Sequence, residues 1–174
     1  PTFDTLFING GTVYDFGDNH FGSRVIEFNG GTLRYNNSIS SSNSESTRFC
    51  VPEGQEGTIY PDGRCDYTGA LTGGGTFNVH ATWVRLYFNG NWSAFTGTIK
   101  AYQDGKVGSY TPSFEFNNTY GLGKATLNIQ SGCTVHTNGK NFAIGELTGS
   151  GSIDNKGEKA STVNTLSIGG KDTD

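Results

Sequence analysis

Apolar and polar residues alternate along this chain in many short runs. Thr12-Val13-Tyr14, Arg24 to Phe28, Thr32 to Tyr35, Thr58-Ile59-Tyr60 and Thr76 to Val79 follow a period of two. So do Val84 to Phe88, Thr98 to Tyr102, Phe114-Glu115-Phe116, Thr126 to Ile129 and Asn164 to Ile168. That period marks a strand with one buried face. No stretch of a dozen residues holds a helical period without a Gly or Asn pair interrupting it, so helices are not expected.

The punctuation between runs repeats as well. Gly-Gly-Thr begins at Gly10, Gly30 and Gly74, Gly-Thr-Ile at Gly57 and Gly97, and Gly-Ser-Ile at Gly151. Asn-Gly closes runs at Asn9, Asn29 and Asn89. The steps from Thr12 to Thr32 and from Thr76 to Thr98 each match the length of one solenoid coil. Hairpins also use Asn-Gly, but they do not need Gly-Thr-aliphatic to return once per coil. A single coil cannot bury its apolar residues, whereas stacked coils share one core. The expected fold is therefore all-β: a single-domain, right-handed parallel β-helix of about eight coils over residues 1–174. The ends read as cut from a longer, multidomain secreted protein. Ser38 to Ser46, rich in Ser and Asn, reads as an exposed loop.

Composition narrows the function. Net charge is −4 with 12 basic residues scattered along the chain, which argues against nucleic acid and anionic membranes. No apolar run nears the roughly 20 residues of a membrane helix, so membrane insertion is not expected. Gly is abundant at 27 residues and Pro rare at 4, without the triplet of collagen. Aromatic residues make up 13%, with eight Tyr, more than a small polar β-domain needs for its core. Three cysteines, Cys50, Cys65 and Cys133, leave two readings open. Either Cys50 and Cys65 form a disulfide stabilising by about 3 kcal/mol, or all three are buried thiols. Cys133 is expected to be unbridged.

Two stretches carry a family resemblance. They are Asp62 to Phe77, with Gly69-Ala-Leu-Thr-Gly-Gly-Gly-Thr-Phe77, and Phe88-Asn-Gly-Asn-Trp-Ser-Ala-Phe-Thr-Gly-Thr-Ile99. Leu166-Ser-Ile-Gly-Gly-Lys-Asp-Thr-Asp174 looks like the start of another copy. Together they resemble the autotransporter-associated β-strand repeat of secreted proteins of gut Bacteroidetes. By analogy, the β-helical carbohydrate-binding family attached to xylanases is similar in function. The resemblance implies a secreted or bacterial cell-surface location, a covalently linked catalytic domain, and xylan or a related β-glycan as ligand.

The candidate binding patch comes from alternation. Val84, Leu86 and Phe88 should point inward, sending Trp83, Arg85 and Tyr87 outward. Ile99 and Ala101 inward send Lys100 and Tyr102 outward, and Phe114 and Phe116 inward send Glu115 outward. Stacking the coils then places Trp83, Arg85 and Tyr87 beside Lys100 and Tyr102, a flat aromatic patch with charged edges. Sugars need both apolar planes and polar partners, and Tyr and Trp offer both. Arg85 and Lys100 suit uronic acid carboxylates. The bland reading is that exposed Tyr simply favours strands. Trp92 reads as a structural corner.

Catalytic and cofactor signals are weak. His20, His80 and His136 lack ligand spacing, so zinc is not expected and the histidines read as solvated or satisfied. Asp15, Asp18 and Asn19, and Asp62 with Asp66, are oxygen-rich turns where calcium is conceivable, but no calcium-loop pattern is present. Otherwise no cofactor is expected. Gly73-Gly74-Gly75 is not a phosphate loop. The paired acids of glycosidases, the motifs of pectin hydrolases and the Gly-x-Ser-x-Gly elbow are absent, and the outward acids Glu27 and Glu115 lie far apart in the chain. The sequence thus points to a non-catalytic polysaccharide-binding module. The alternative is a structural stalk or adhesin segment, and a β-helix hydrolase or lyase is the third reading.

Overall fold

The computed structural model describes residues 4–15, 21–35, 44–82, 85–104, 111–155 and 163–171. Among them the chain forms strands and no helix. Every strand pair is parallel, and the strands fall into three sheets. In chain order the strands of sheet A are β1 (Thr5–Ile8), β3 (Val25–Phe28), β6 (Arg48–Val51) and β9 (Leu71–Gly73). Sheet B runs β2 (Thr12–Asp15), β4 (Thr32–Tyr35), β7 (Glu56–Pro61), β10 (Thr76–Ala81), β12 (Thr98–Gln103), β14 (Leu122–Ile129), β16 (Phe142–Gly149) and β18 (Leu166–Ile168). Sheet C runs β5 (Ser44–Glu45), β8 (Cys65–Tyr67), β11 (Leu86–Phe88), β13 (Phe114–Phe116), β15 (Thr134–His136) and β17 (Ser152–Asp154).

This is the single-domain parallel β-solenoid that the repeats predict, with eight strands stacked in sheet B. The coils are uneven. Thr32 pairs with Thr58, and Thr98 with Thr126. Both steps are longer than those from Thr12 to Thr32 or from Thr76 to Thr98. Within the stretch read as a loop, Ser44 and Glu45 form a strand against Asp66 and Tyr67, while residues 38–43 lie outside the described residues.

Alternation builds the core. Ile26, Phe28, Leu86, Phe88, Ile99, Ala101, Phe114 and Phe116 are all buried, as the pattern predicts. Phe28, Phe49 and Phe77 pack with centroids 5.6–5.9 Å apart. Each buried ring of this size contributes about 1.5–3 kcal/mol through burial, plus about 0.5–1.5 kcal/mol where pairs meet in good geometry. Among the described residues sheet A stops at β9. In the next coil Trp92 takes over that side, packing on Phe77, Phe88 and Phe116 and donating from Nε1 to Gly69 O at 3.1 Å. It is the structural corner that its place in the repeat suggests.

Two glycine pairs fix other corners. A Cβ on Gly90 would lie 2.0 Å from Gly69 O, and one on Gly97 2.0 Å from Gly75 O. Successive coils therefore meet backbone to backbone there, and only glycine fits. Cys50, Cys65 and Cys133 are free thiols. Cys50 sits on sheet A beside Glu27 and Thr72, while Cys65 points into the core from sheet C. The disulfide reading is thereby corrected: the two thiols belong to different sheets.

Candidate functional site

Sheet B, with eight strands, is the most extended of the three sheets among the described residues. Register pairs Tyr14 with Arg34 and Arg34 with Tyr60, then sets His80 opposite Tyr102. The β7–β10 register pairs Ile59 with Val79, so Tyr60 and His80 follow side by side. The His80 ring stacks on Tyr102 at 4.4 Å with planes 3° apart, and on Tyr60 at 4.8 Å with planes 32° apart. The Arg34 guanidinium lies over the other end of this pile, 4.8 Å from the Tyr60 centroid. The result is a ladder whose ring faces meet each other and whose polar edges look outward.

Acids brace the ladder. Arg34 donates from Nε and Nη2 to Asp62 at 2.6 and 2.8 Å, and this bond holds the guanidinium above its ordinary pKa. His80 Nδ1 donates to Asp104 at 2.7 Å. Tyr60 is raised from its ordinary value by burial first, then by the charge of Asp104, to which it also hydrogen-bonds. Tyr14 is 51% exposed and is the most open ring of the row.

A second outward row runs beside the ladder: Thr12, Thr32, Thr58, Asn78, Lys100, Asn128 and Thr148. Asn78 Nδ2 donates to Glu56 at 2.6 Å and to Thr58 at 3.3 Å. Asn128 Nδ2 donates to Thr148 at 2.8 Å. Lys100 lies between these two asparagines.

Of the predicted patch, the structure brings together two separate groups. Lys100 and Tyr102 share the sheet B face. Arg85 precedes β11, and Tyr87 on β11 pairs with Asp66 and Glu115 within sheet C. The expected adjacency of Arg85 and Tyr87 to Lys100 and Tyr102 is therefore corrected: β11 and β12 follow one another in the chain but belong to different sheets. Trp83 and Val84 lie outside the described residues. The expected flat platform is also corrected, because the ladder rings stand on edge and Arg85 covers one face of Tyr87 at 4.5 Å.

Glu115 keeps its outward parity yet is only 3% exposed. Ser113 Oγ donates to its Oε1 at 2.5 Å and Asn138 Nδ2 to its Oε2 at 2.6 Å. Tyr87 is raised from its ordinary value by burial and then by the charge of Glu115, partly offset by Arg85. Arg85 Nη2 donates to Asp66 at 3.1 Å. Glu27 belongs to sheet A and Glu115 to sheet C, so these two outward acids do not share a face. His136 pairs with Asp154 on sheet C.

The oxygen-rich pair considered for calcium is already engaged. Asp62 holds Arg34 and Asp66 holds Arg85. Asp18, Asn19 and His20 lie outside the described residues.

Sequence reasoning missed Tyr14, Arg34, Tyr60 and His80 as one row. A signal existed. Tyr14, Arg34 and Tyr60 each stand two places after the Thr of a Gly-Thr-aliphatic unit. The motif then slips: Thr76 pairs with Glu56, while Thr58 faces Asn78. Aligning the motifs alone would have set Tyr60 beside Asn78, two places from its real neighbour.

No family model, curated protein or solved structure matches this chain.

Proposed function

We propose that this domain is a non-catalytic polysaccharide-binding module whose binding face is the outside of sheet B. One observation carries the reading: the row Tyr14, Arg34, Tyr60, His80 and Tyr102 runs beside the row Thr32, Thr58, Asn78, Lys100 and Asn128 along the solenoid axis. With rungs about 4.8 Å apart, eight strands make a face roughly 34 Å long. A straight β-linked glycan, xylan being the favoured class, presents hydroxyls at a comparable interval. Tyr hydroxyls and amides meet them edge-on, and Tyr14 offers the open ring for a sugar C–H face.

The polar contacts are modest, since each replaces one with water. Binding is therefore expected in the high-micromolar to millimolar range, about −4 to −6 kcal/mol. Affinity electrophoresis and calorimetry with soluble xylan, β-glucan and pectin test this. Tyr60→Ala and Tyr102→Ala should each weaken binding roughly three- to tenfold, about one polar contact. Tyr87→Ala on sheet C should leave it unchanged. Folded variants of Tyr60 and Tyr102 that bind like the parent would remove the face from consideration.

A second reading, a structural stalk or adhesin segment of a secreted or surface protein, is favoured by the self-satisfied ladders. Ring faces in the row meet each other, and Asn29 bonds Asn9 as Asn117 bonds Asn89, at 2.9 and 3.0 Å. A parent that binds no glycan in the panel makes this the better account.

A further inference from the structure

Lys100 sits at the middle of the sheet B face. Ile99 and Ala101 on either side are fully buried, so alternation turns Lys100 outward. Its strand neighbours are Asn78 on one side and Asn128 on the other. Both asparagines direct their side-chain amides away from it. Asn78 Nδ2 reaches back to Glu56 and Thr58, and Asn128 Nδ2 reaches forward to Thr148. Asn78 is 7% exposed, and its Oδ1 is buried and accepts no hydrogen bond among the described residues.

Three other cations of the outward faces are answered. Arg34 is held by Asp62 and Arg85 by Asp66, while Lys171 Nζ donates to Thr126 at 2.8 Å. Lys100 has no acid partner among the described residues. An ammonium is a compact, strongly hydrated charge with three donors and no acceptor. Turning one donor toward Asn78 Oδ1 on the adjoining strand would leave the remaining donors for a ligand. In a row otherwise made of Thr hydroxyls and Asn amides, this is the one group that distinguishes an anionic glycan from a neutral one.

Resting on the reading of sheet B as the binding face, we propose that Lys100 makes the domain selective for glycans carrying carboxylates, that is, uronic-acid-substituted β-glycans over their neutral counterparts. A single half-exposed charge pair gives a preference of roughly two- to fivefold at low salt, lost as salt screens it.

The test is calorimetry on the full chain with two soluble xylans matched in length, one bearing glucuronic acid and one bearing only neutral substituents, at low and high ionic strength. The parent should prefer the acidic glycan at low salt. Lys100→Gln should remove that preference, weakening acidic-glycan binding more than neutral-xylan binding, and melt as a folded protein. Lys140→Gln, in the turn after β15, controls for loss of one positive charge and should keep the preference. Equal parental affinity for both glycans overturns the proposal while leaving the binding face intact. So does a Lys100→Gln protein that still prefers the acidic glycan. A parent that binds neither glycan removes the binding face itself and this proposal with it.

Discussion

The His80 ring lies on the Tyr102 ring with centroids 4.4 Å apart and planes 3° from parallel. One whole coil separates them in the chain, and one strand spacing separates them in space. The contact is a fold contact as much as a surface one, because it couples two consecutive coils. Tyr102→Ala should lower stability by about 0.5–1.5 kcal/mol beyond its lost burial. Tyr102→Phe, which keeps the ring, should melt near the parent. Denaturant unfolding of both variants checks this, and equal destabilisation would show that the hydroxyl rather than the stack matters.

Leu86 and Tyr87 are neighbours with opposite duties. Leu86 is 1% exposed and faces the core, so Leu86→Ala should cost about 2–5 kcal/mol through the cavity it leaves. Tyr87 faces outward, yet its ring carries Arg85 and its neighbour Glu115 is buried. Tyr87→Ala should therefore cost about 1–3 kcal/mol, the range for a buried polar group that loses a partner. Thermal melts of the pair should rank Leu86→Ala below Tyr87→Ala and both below the parent.

Cys133 should be chemically quiet. Burial, with a smaller contribution from the charge of Asp104, pushes its thiol up to about 12. The thiolate is the reactive form, so alkylation of native protein at mildly alkaline pH should mark the half-exposed Cys50 and leave Cys133 untouched until unfolding. The folded value lies above the ordinary value of 9.0. The associated stability is thus complete below about pH 9 and is lost as pH rises toward 12. Melting temperature should fall over that window, and Cys133→Ala should flatten part of the fall. Mass mapping after timed alkylation and a pH series of melts test both statements.

Gly97→Ala should be among the most damaging small substitutions. Its Cβ would sit 2.0 Å from Gly75 O, and backbone cannot yield as a flexible side chain does. A cost of about 3 kcal/mol or more is expected, at or above the upper range of overpacking. Gly123→Ala is the control. Its nearest contact would be Ala143 Cβ at 3.9 Å, so it should be neutral or slightly stabilising. Chemical denaturation of the two variants separates steric corners from ordinary glycines.

Much of the fold was legible because inward residues announce themselves locally. Ile26 with Phe28, Leu86 with Phe88 and Phe114 with Phe116 alternate with polar neighbours, and each pair is buried. Period two, however, reports inside against outside and not which sheet a strand joins. Tyr87 and Tyr102 have the same outward parity, yet a three-sheet coil sends one to sheet C and the other to sheet B. Lys100 pairs with Asn78 before it and Asn128 after it, and the second step is the longer. Such unequal steps cannot be read from a motif period. Strands such as Phe142–Gly149 went unmarked because Ala, two Gly and Thr blur the alternation. Glu115 looked solvent-facing by parity, and only the hydrogen bonds from Ser113 and Asn138 explain its burial.

With no side chain between Gly75 and Gly97, or between Gly69 and Gly90, the distance from coil to coil at those corners belongs to the peptide backbone. The outside of sheet B is thus a ruler whose divisions, about 4.8 Å each, cannot be re-cut by mutation. Substitution changes what stands on a mark and never the distance between marks. A β-1,4-linked sugar residue is slightly longer than one division, so a straight chain laid along this ruler drifts out of step, as on a vernier. On the proposed glycan-binding reading, grip would concentrate where the two scales coincide, and a longer solenoid would gain reach faster than hold.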